Sequence, residues 1–330
     1  MRFDGGGGQA ATAFKFSAID MRPSAIPSLV AVSLLGSLAL AGSAAAQDME
    51  PKAYLASPVG ANFLVATYGR STGSVVFDPS LPITDVNARV GNVALGVGHT
   101  FGLFGKLTRV TVAFPYAWGR VTGKVGGEAG EVSREGLADT RVRLSMNLRG
   151  NPAMSTAAFA KAPHRTIVGA GITVAAPTGQ YYDTKLINLG TNRWGFRPEV
   201  GISVPVGRWD LDSYVGVWWF TSNASFYPGG LSRTQDPVVS WQGHAAYTFR
   251  SRAWVAADAT WYRGGASQIE GGEPKAAMNN SRLGATVSLP VGTRQSIKIS
   301  YSSGIVVRTG TNFNTLGVAW QMLWLSPLRK

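Results

Sequence analysis

From Arg193 to Val206 the chain alternates: Trp194, Phe196, Val200, Ile202, Val204 and Val206 share one face of an extended segment, and Arg193, Arg197, Glu199 and Ser203 the other. A period of two with one apolar and one charged side is a strand lying between apolar and polar surroundings. Alone, it fits a half-buried strand of any antiparallel sheet. It is not alone. Val110, Val112, Phe114, Tyr116 and Trp118 alternate with Arg109, Thr111 and Ala113, and Val142, Leu144, Met146 and Leu148 with Asp139, Arg141, Arg143, Ser145 and Asn147. Val239, Trp241, Ala245, Tyr247 and Phe249 alternate with Ser240, Gln242, His244 and Thr248, and the pattern continues through Ile297–Tyr301 to Leu316–Trp324.

Each repeat lasts roughly ten residues, the length a tilted membrane strand needs. About twelve begin, near Ala61, Ala88, Leu107, Leu137, Thr166, Arg193, Trp209, Val238, Ala253, Ser281, Ser296 and Asn312, an even number as single-chain outer-membrane barrels require. Their connectors alternate in length. Phe101–Lys106, Gly207-Arg208, Arg250–Arg252 and Pro290–Arg294 are short; Ser71–Asn87, Arg120–Gly136, Thr178–Asn192, Ser222–Asp236 and Gly264–Asn280 are long. Short periplasmic turns and long outer loops are the habit of such barrels. Gly150–Arg165 breaks the rule by being long on the short side, and a helical turn or two is expected over Met154–Lys161. Aromatic residues gather at segment ends (Tyr116 and Trp118, Trp194 and Phe196, Trp218 to Phe220, Trp261 and Tyr262, Trp320 and Trp324), where headgroup-level girdles would lie. A soluble sandwich would need a dry inner face and polar outer faces. Here nearly every segment would need inward space.

Only 15% of the residues are charged, against about 25% in ordinary soluble domains, and there are 41 glycines, which disfavours a helical enzyme. The only long apolar run lies near the N-terminus. Arg22 precedes an apolar stretch that ends in Ala44-Ala45-Ala46 before Gln47, the form of a secretory signal peptide, with Met21 as its expected start. The expected layout is therefore an extension and signal peptide over residues 1–46, a short periplasmic lead over 47–59, a barrel over 60–325 and an overhang over 326–330. Loss of Arg2, Lys15, Arg22, Asp4 and Asp20 lowers the net charge from +13 to +12. Export removes nucleic acid as a partner for this basic chain, which has no dense Lys/Arg tract. An exported chain without cysteine has neither a disulfide framework nor a thiolate metal site.

With the apolar face toward lipid, the lumen receives Arg109, Asp139, Arg141, Arg143, Asn147, Arg197, Glu199, Asp210, Asp212, Gln242, His244, Asp258, Tyr262, Arg282 and Lys298, the candidate pore lining. Charges of both signs across a lumen make a transverse field that orients polar solutes and sets ion preference. Some would pair in the wall, as Arg197 with Glu199 or Arg141 with Asp139. Arg109, Arg141 and Arg143 have the best claim on a solute, because Asp139 is their only expected counter-charge. Tyr262, Trp254 and Phe313 are read first as girdle or wall packing, with stacking of an aromatic solute on their rings as the alternative. Tyr181, Tyr182, Asp183 and Lys185 make the connector Thr178–Asn192 the candidate constricting or substrate-contacting loop, with an ordinary exposed loop as the alternative.

Catalysis has little to stand on. A nucleophile needs a base and an orienting group, and the imidazoles are His99, on the apolar face, His164, in a connector, and His244, on the wet face. They have no metal-ligand spacing, and no phosphate or dinucleotide loop is present. No cofactor is implied.

Several stretches carry a resemblance: Gly-Ile-Thr-Val-Ala-Ala-Pro-Thr-Gly-Gln-Tyr from Gly171, Leu-Ile-Asn-Leu-Gly-Thr-Asn-Arg-Trp-Gly-Phe-Arg-Pro-Glu over Leu186–Glu199, Gln235-Asp236-Pro237, Gln242-Gly243-His244, Asp258–Tyr262 and Ala319-Trp320-Gln321. Over about residues 60 to 325 the chain resembles the "Putative MetA-pathway of phenol degradation" family of outer-membrane proteins. The resemblance implies transport of aromatic or other hydrophobic compounds. Leu325–Lys330 follows Trp324 where many barrels end on an aromatic residue.

The expectation is an all-β chain: a transmembrane antiparallel up-and-down barrel of about twelve strands in the bacterial outer membrane, inserted by the barrel insertion machinery and passing small solutes passively. The alternatives are a phospholipase-like hydrolase on a barrel scaffold, marked by a serine beside His99 or His244, and a closed structural or adhesion barrel, marked by absence of conductance. Solute and oligomeric state are not written in the sequence.

Overall fold

The computed structural model describes residues 49–76, 83–125, 127–227, 230–270, 272–274, 277–308 and 310–325. The leader expected over 1–46 and the overhang over 326–330 lie outside the described residues. Twelve antiparallel wall positions close into one barrel. In order these are β1 (Ala61–Val76), β2 (Ile83–Leu103), β3 (Lys106–Val125), a position shared by β4 (Glu128–Leu137) and β5 (Arg141–Arg149), β6 (Ile167–Ala175), β7 (Gly195–Val206) and β8 (Trp209–Phe220). After β9 (Asn223–Phe226) and β10 (Leu231–Gln235) come β11 (Val238–Thr248) and β12 (Trp254–Gly264). After β13 (Ser267–Ile269) come β14 (Met278–Val291), β15 (Gln295–Val306) and β16 (Gly310–Leu325), which pairs back onto β1 from Ala61↔Leu325 to Val76↔Gly310. Closure leaves no sheet edge in the wall, which is what lets strands cross a hydrocarbon layer.

The period of two survives folding almost intact. Val110, Val112, Phe114, Tyr116 and Trp118 on β3 point outward, as do Trp194, Val200 and Ile202 around β7, while Arg197 and Glu199 are buried inside. Two-sided surroundings fix this register, because a slip of one residue would put every guanidinium in lipid. The strands start within a few residues of the expected positions, but β2 and β3 run to 21 and 20 residues and carry their hairpins past the bilayer. Part of the connectors read as long loops, Ser71–Asn87 and Arg120–Gly136, is thus paired strand.

The fourth wall position is broken in two. β3 pairs with β5 up to Ala113↔Arg141 and with β4 from Tyr116↔Leu137, and Pro115 stands at the change of partner. Proline brings no N–H to a ladder, and the Pro115 carbonyl accepts instead from the Ala138 N–H at 2.9 Å. Beside β4 the connector 176–194 replaces a strand: Gln180 N–H donates to the Leu137 carbonyl at 2.8 Å.

Short turns collect at one end, among them Phe104-Gly105 with both φ angles positive, the form of a type I′ hairpin. At the opposite end β9, β10 and β13 form a small separate sheet from residues of two connectors that read as loops in the sequence. The connector 150–166, long at the short-turn end, carries α1 (Thr156–Phe159), capped by Ser155, and bridges to β3 through Lys106↔Pro152.

Candidate functional site

The stretch before β1, expected as a periplasmic lead, lies inside the barrel. From Met49 to Leu55 it meets the inner wall through polar contacts. Lys52 donates its N–H to Asp212 Oδ2 at 2.9 Å and its Nζ to Thr248 Oγ1 at 3.1 Å, pairs with Asp210, and sits 5.6 Å from the Trp254 ring centre. Ala53 N–H donates to the Tyr214 hydroxyl at 3.1 Å. The Arg109 guanidinium donates to the carbonyls of Ala53 and Leu55 at 3.2 and 3.0 Å. Two unpaired backbone acceptors are satisfied by one planar fork, which a lysine would not reproduce.

Glu199 is the hub. Its Oε1 accepts from the Tyr54 hydroxyl at 3.1 Å and from Arg143 Nη2 at 2.8 Å, and its Oε2 from Arg197 Nη2 at 3.3 Å. Arg143 continues to Glu50 Oε2 at 2.5 Å and lies 5.4 Å from the centre of the Tyr54 ring. The alternation of acid and base therefore passes from wall to segment and back. Glu50 is enclosed by the wall yet half exposed to the lumen; enclosure alone would raise its pKa, but Arg143, Lys298, Arg197 and Arg109 together hold its carboxyl below the ordinary range.

Tyr54 is buried, edge-on to Tyr214 at 5.4 Å, and its ring passes over Gly169 and Gly201, which pair with each other across β6 and β7. A Cβ at Gly169 would collide with that ring. Gly284 likewise lies under the Met49 sulfur. These glycines face inward where the polar pattern calls for a side chain; the missing side chains make the groove in which the segment runs. The segment leaves past the exceptional connector: Val59 N–H donates to the Met154 carbonyl at 2.9 Å and Asn151 Nδ2 to the Ser57 carbonyl at 3.4 Å.

All fifteen candidate lining residues lie on inward-facing positions, but they do not act as one set. Asp139 is not the counter-charge expected for the arginine trio. Its Oδ1 accepts from Gly179 N–H at 2.9 Å and its Oδ2 from Thr191 N–H and Oγ1 at 2.9 and 2.6 Å, so it clamps the 176–194 connector. Arg109 and Arg143 are engaged by the N-terminal segment. The expected Arg197–Glu199 pair is present. Asp258 accepts from Thr286 Oγ1 at 2.7 Å and bonds His244 Nδ1 at 2.7 Å, while Gln242 Oε1 accepts from Glu50 N–H at 3.4 Å. Arg282 donates to Ser302 Oγ at 2.8 Å; Tyr262 packs with Trp218 and Val238; Asn147 is buried in the wall, as Arg141 and Lys298 are in part. Among the described residues no serine hydrogen-bonds His99 or His244: the first meets Asn62 Oδ1 at 2.8 Å, the second Asp258.

At the long-loop end the connector turns inward through Ile187, which packs among Val75, Val86, Ala88, Val90, Val121 and Phe313. The candidate loop residues hold this fold rather than float above it. Tyr181 donates to the Ser225 carbonyl on β9 at 2.9 Å, Gln180 Nε2 to the Tyr182 hydroxyl at 2.6 Å, and Lys185 stands 4.1 Å over the Tyr182 ring; Asp183 lies between them on the exposed side.

Sequence reading passed over a second wall feature. Arg193 lies 4.3 Å over Phe220, Phe220 stacks on Trp218 at 5.9 Å, and Trp218 lies 5.4 Å from Arg197. A stacked pair of rings thus lies between two cations from the long-loop mouth down to the hub. Arg193 also hydrogen-bonds Gln235; burial and nearby Arg233 lower its basicity, which Asp139 partly restores. The signal lay in Arg193, two residues before Gly195, on the same inward face as Arg197.

The fold is shared with solved barrels. An outer membrane channel from Pseudomonas putida F1 aligns with a TM-score of 0.70 at 21% identity, over 84% of this chain and 100% of that one. The transport unit of the autotransporter AIDA-I from Escherichia coli aligns with a TM-score of 0.51 at 10% identity, over 89% of this chain and 97% of that one. No curated protein matches the chain. The family model described as "Putative MetA-pathway of phenol degradation" matches residues 84–322, from the second wall strand to the last, and the chain is a member of that family.

Proposed function

We propose that this protein is a passive, non-enzymatic channel of the bacterial outer membrane, closed at rest by its own residues 49–57 and admitting small solutes when that segment leaves the lumen. The observation that carries the reading is that Glu199, Arg143, Arg109 and Asp212 bind the segment through polar contacts. A barrel built only as a scaffold would fill its lumen with wall side chains. The remaining inward-facing candidates then line the path once it is open. The name of the family and the naming of its Pseudomonas putida neighbour as a channel favour the same reading. Aromatic solutes fit the run Arg193, Phe220, Trp218, Arg197, where the stacked rings offer stacking and the flanking guanidiniums offer charge.

Planar-bilayer recording tests it. The intact protein is expected to show a small conductance and a variant lacking residues 49–57 a several-fold larger one, with ion selectivity altered by neutralising Arg141 and Arg143 in the truncated form. Absence of conductance in both proteins would overturn the channel, and equal conductance in both would overturn the segment as its closure.

A further inference from the structure

The outer wall carries a cluster of charge that the channel does not use. On the outward face of β1, β2 and β3 the apolar band ends in an aromatic belt, with Tyr68 and Trp118 6.3 Å apart and Tyr116 beside them. On β3 the band from Val110 to Trp118 rises about 20 Å for a strand tilted by about 40°, close to the height expected of a barrel's lipid-facing surface. One outward position beyond the belt, toward the long-loop end, stand Arg70, Arg89 and Arg120, all exposed.

The registers bring the three together. Arg89 pairs directly with Arg120, and Arg70 pairs with Gly91, diagonal to Arg89. Gly91 in turn lies under the Trp118 indole, so the belt forms a flat shelf beneath the guanidiniums. Like charges directly opposed on one face of a sheet are destabilising. Among the described residues, Arg70 and Arg89 have no hydrogen-bond or ion-pair partner, and Arg120 meets Glu131 through Nε at 3.3 Å. Among the described residues, the other charges on this face are Glu135, beside Trp118, and the Lys124–Asp85 pair higher up, which neutralises itself. Arg120, its Nε near Glu131, thus shares the outward face with Arg89.

Three guanidiniums at headgroup height, above aromatic rings and facing outward, match a phosphate-bearing lipid. Arginine forks bind phosphate oxygens bidentately, and the long-loop end of such a barrel faces the leaflet built from phosphorylated glycolipid. We infer that Arg70, Arg89 and Arg120 form a binding site on the outer barrel wall for the phosphates of lipopolysaccharide.

The test is binding of purified lipopolysaccharide to delipidated full-length protein in detergent, with the triple variant R70Q/R89Q/R120Q, with R263Q as an outward arginine above Trp261 but outside the cluster, and with folding checked by heat-modifiable mobility. At roughly 1 kcal/mol per basic residue at a membrane surface, the triple variant is expected to bind about a hundredfold more weakly, and R263Q like wild type. R89E, which removes one charge and sets a carboxylate opposite Arg120, should weaken binding about thirtyfold and leave a folded barrel. Undiminished binding by the triple variant would overturn the site, as would an equal loss in R263Q or equally tight binding of phosphatidylglycerol vesicles, which would show general attraction to negative charge.

Discussion

The barrel is narrowed in two places by opposite chemistry. In its middle and toward the short-turn end, residues 49–57 are held chiefly by carboxylates, guanidiniums and hydroxyls around Glu199, with Ala53 and Tyr54 packed on Ile167 and Tyr214; at the long-loop end the connector is clamped by Asp139, and its inward tip Ile187 is held by valines, Ala88 and Phe313. Polar contacts can be exchanged for water at modest cost, because net hydrogen-bond energies are small. Buried apolar contacts have no such substitute. On the proposed function, the difference makes the segment the element built to move and the connector its fixed collar.

The largest effect should follow from filling the groove. Gly169→Leu puts a side chain where the Tyr54 ring lies, and a strand interior does not need glycine there. The segment is expected to be expelled, and single-channel conductance to approach that of the protein lacking it. Next comes Glu199→Gln, which leaves Arg143 and Arg197 without their shared carboxylate. Breaking one side of a buried ionic network costs about 3–5 kcal/mol, and frequent openings of full amplitude should appear in recordings. An opening frequency unchanged from wild type would mean that the segment is held by packing alone.

Acid should weaken the gate by a smaller amount. The Glu50 carboxyl is held below its ordinary value in the docked state. A depressed pKa contributes stability that is full above the undocked value, near 4.3 for glutamate, and is lost as pH falls through the docked one. Openings should therefore rise below about pH 4, and Glu50→Gln should open more often at neutral pH and lose that acid response. The comparison sharpens if Ile187 variants keep the acid response intact.

How much of this was legible follows from what fixes each part. The wall was readable because lipid on one side and water on the other punish a register slip at every strand, so Val110 to Trp118 and Val142 to Leu148 declared their faces. Asp139 was misassigned because a period of two gives a face and not a partner, and its partners Gly179 and Thr191 lie on a connector distant in sequence. Residues 49–57 have no periodicity; their path is set by Asp212, Tyr214 and Glu199, all more than 140 positions away. Two signals were nonetheless present. Pro115 interrupts an otherwise clean alternation where the wall changes partner, and Gly169 and Gly201 stand on inward positions where polar side chains were expected.

The smallest expected effect is at the collar. Ile187→Ala removes buried methyl groups, worth about 2 kcal/mol or more in a packed cluster, and should loosen the connector seen by limited proteolysis. Conductance in the intact protein should barely change, because the two narrowings lie in series and the segment sets the resistance. In the Gly169→Leu background the same substitution should raise conductance measurably, since the collar is then the narrower point. This non-additivity separates a series of two restrictions from a single one. If Ile187→Ala alone opened the channel as widely as Gly169→Leu, the apolar collar would be the gate and the polar segment its passive neighbour.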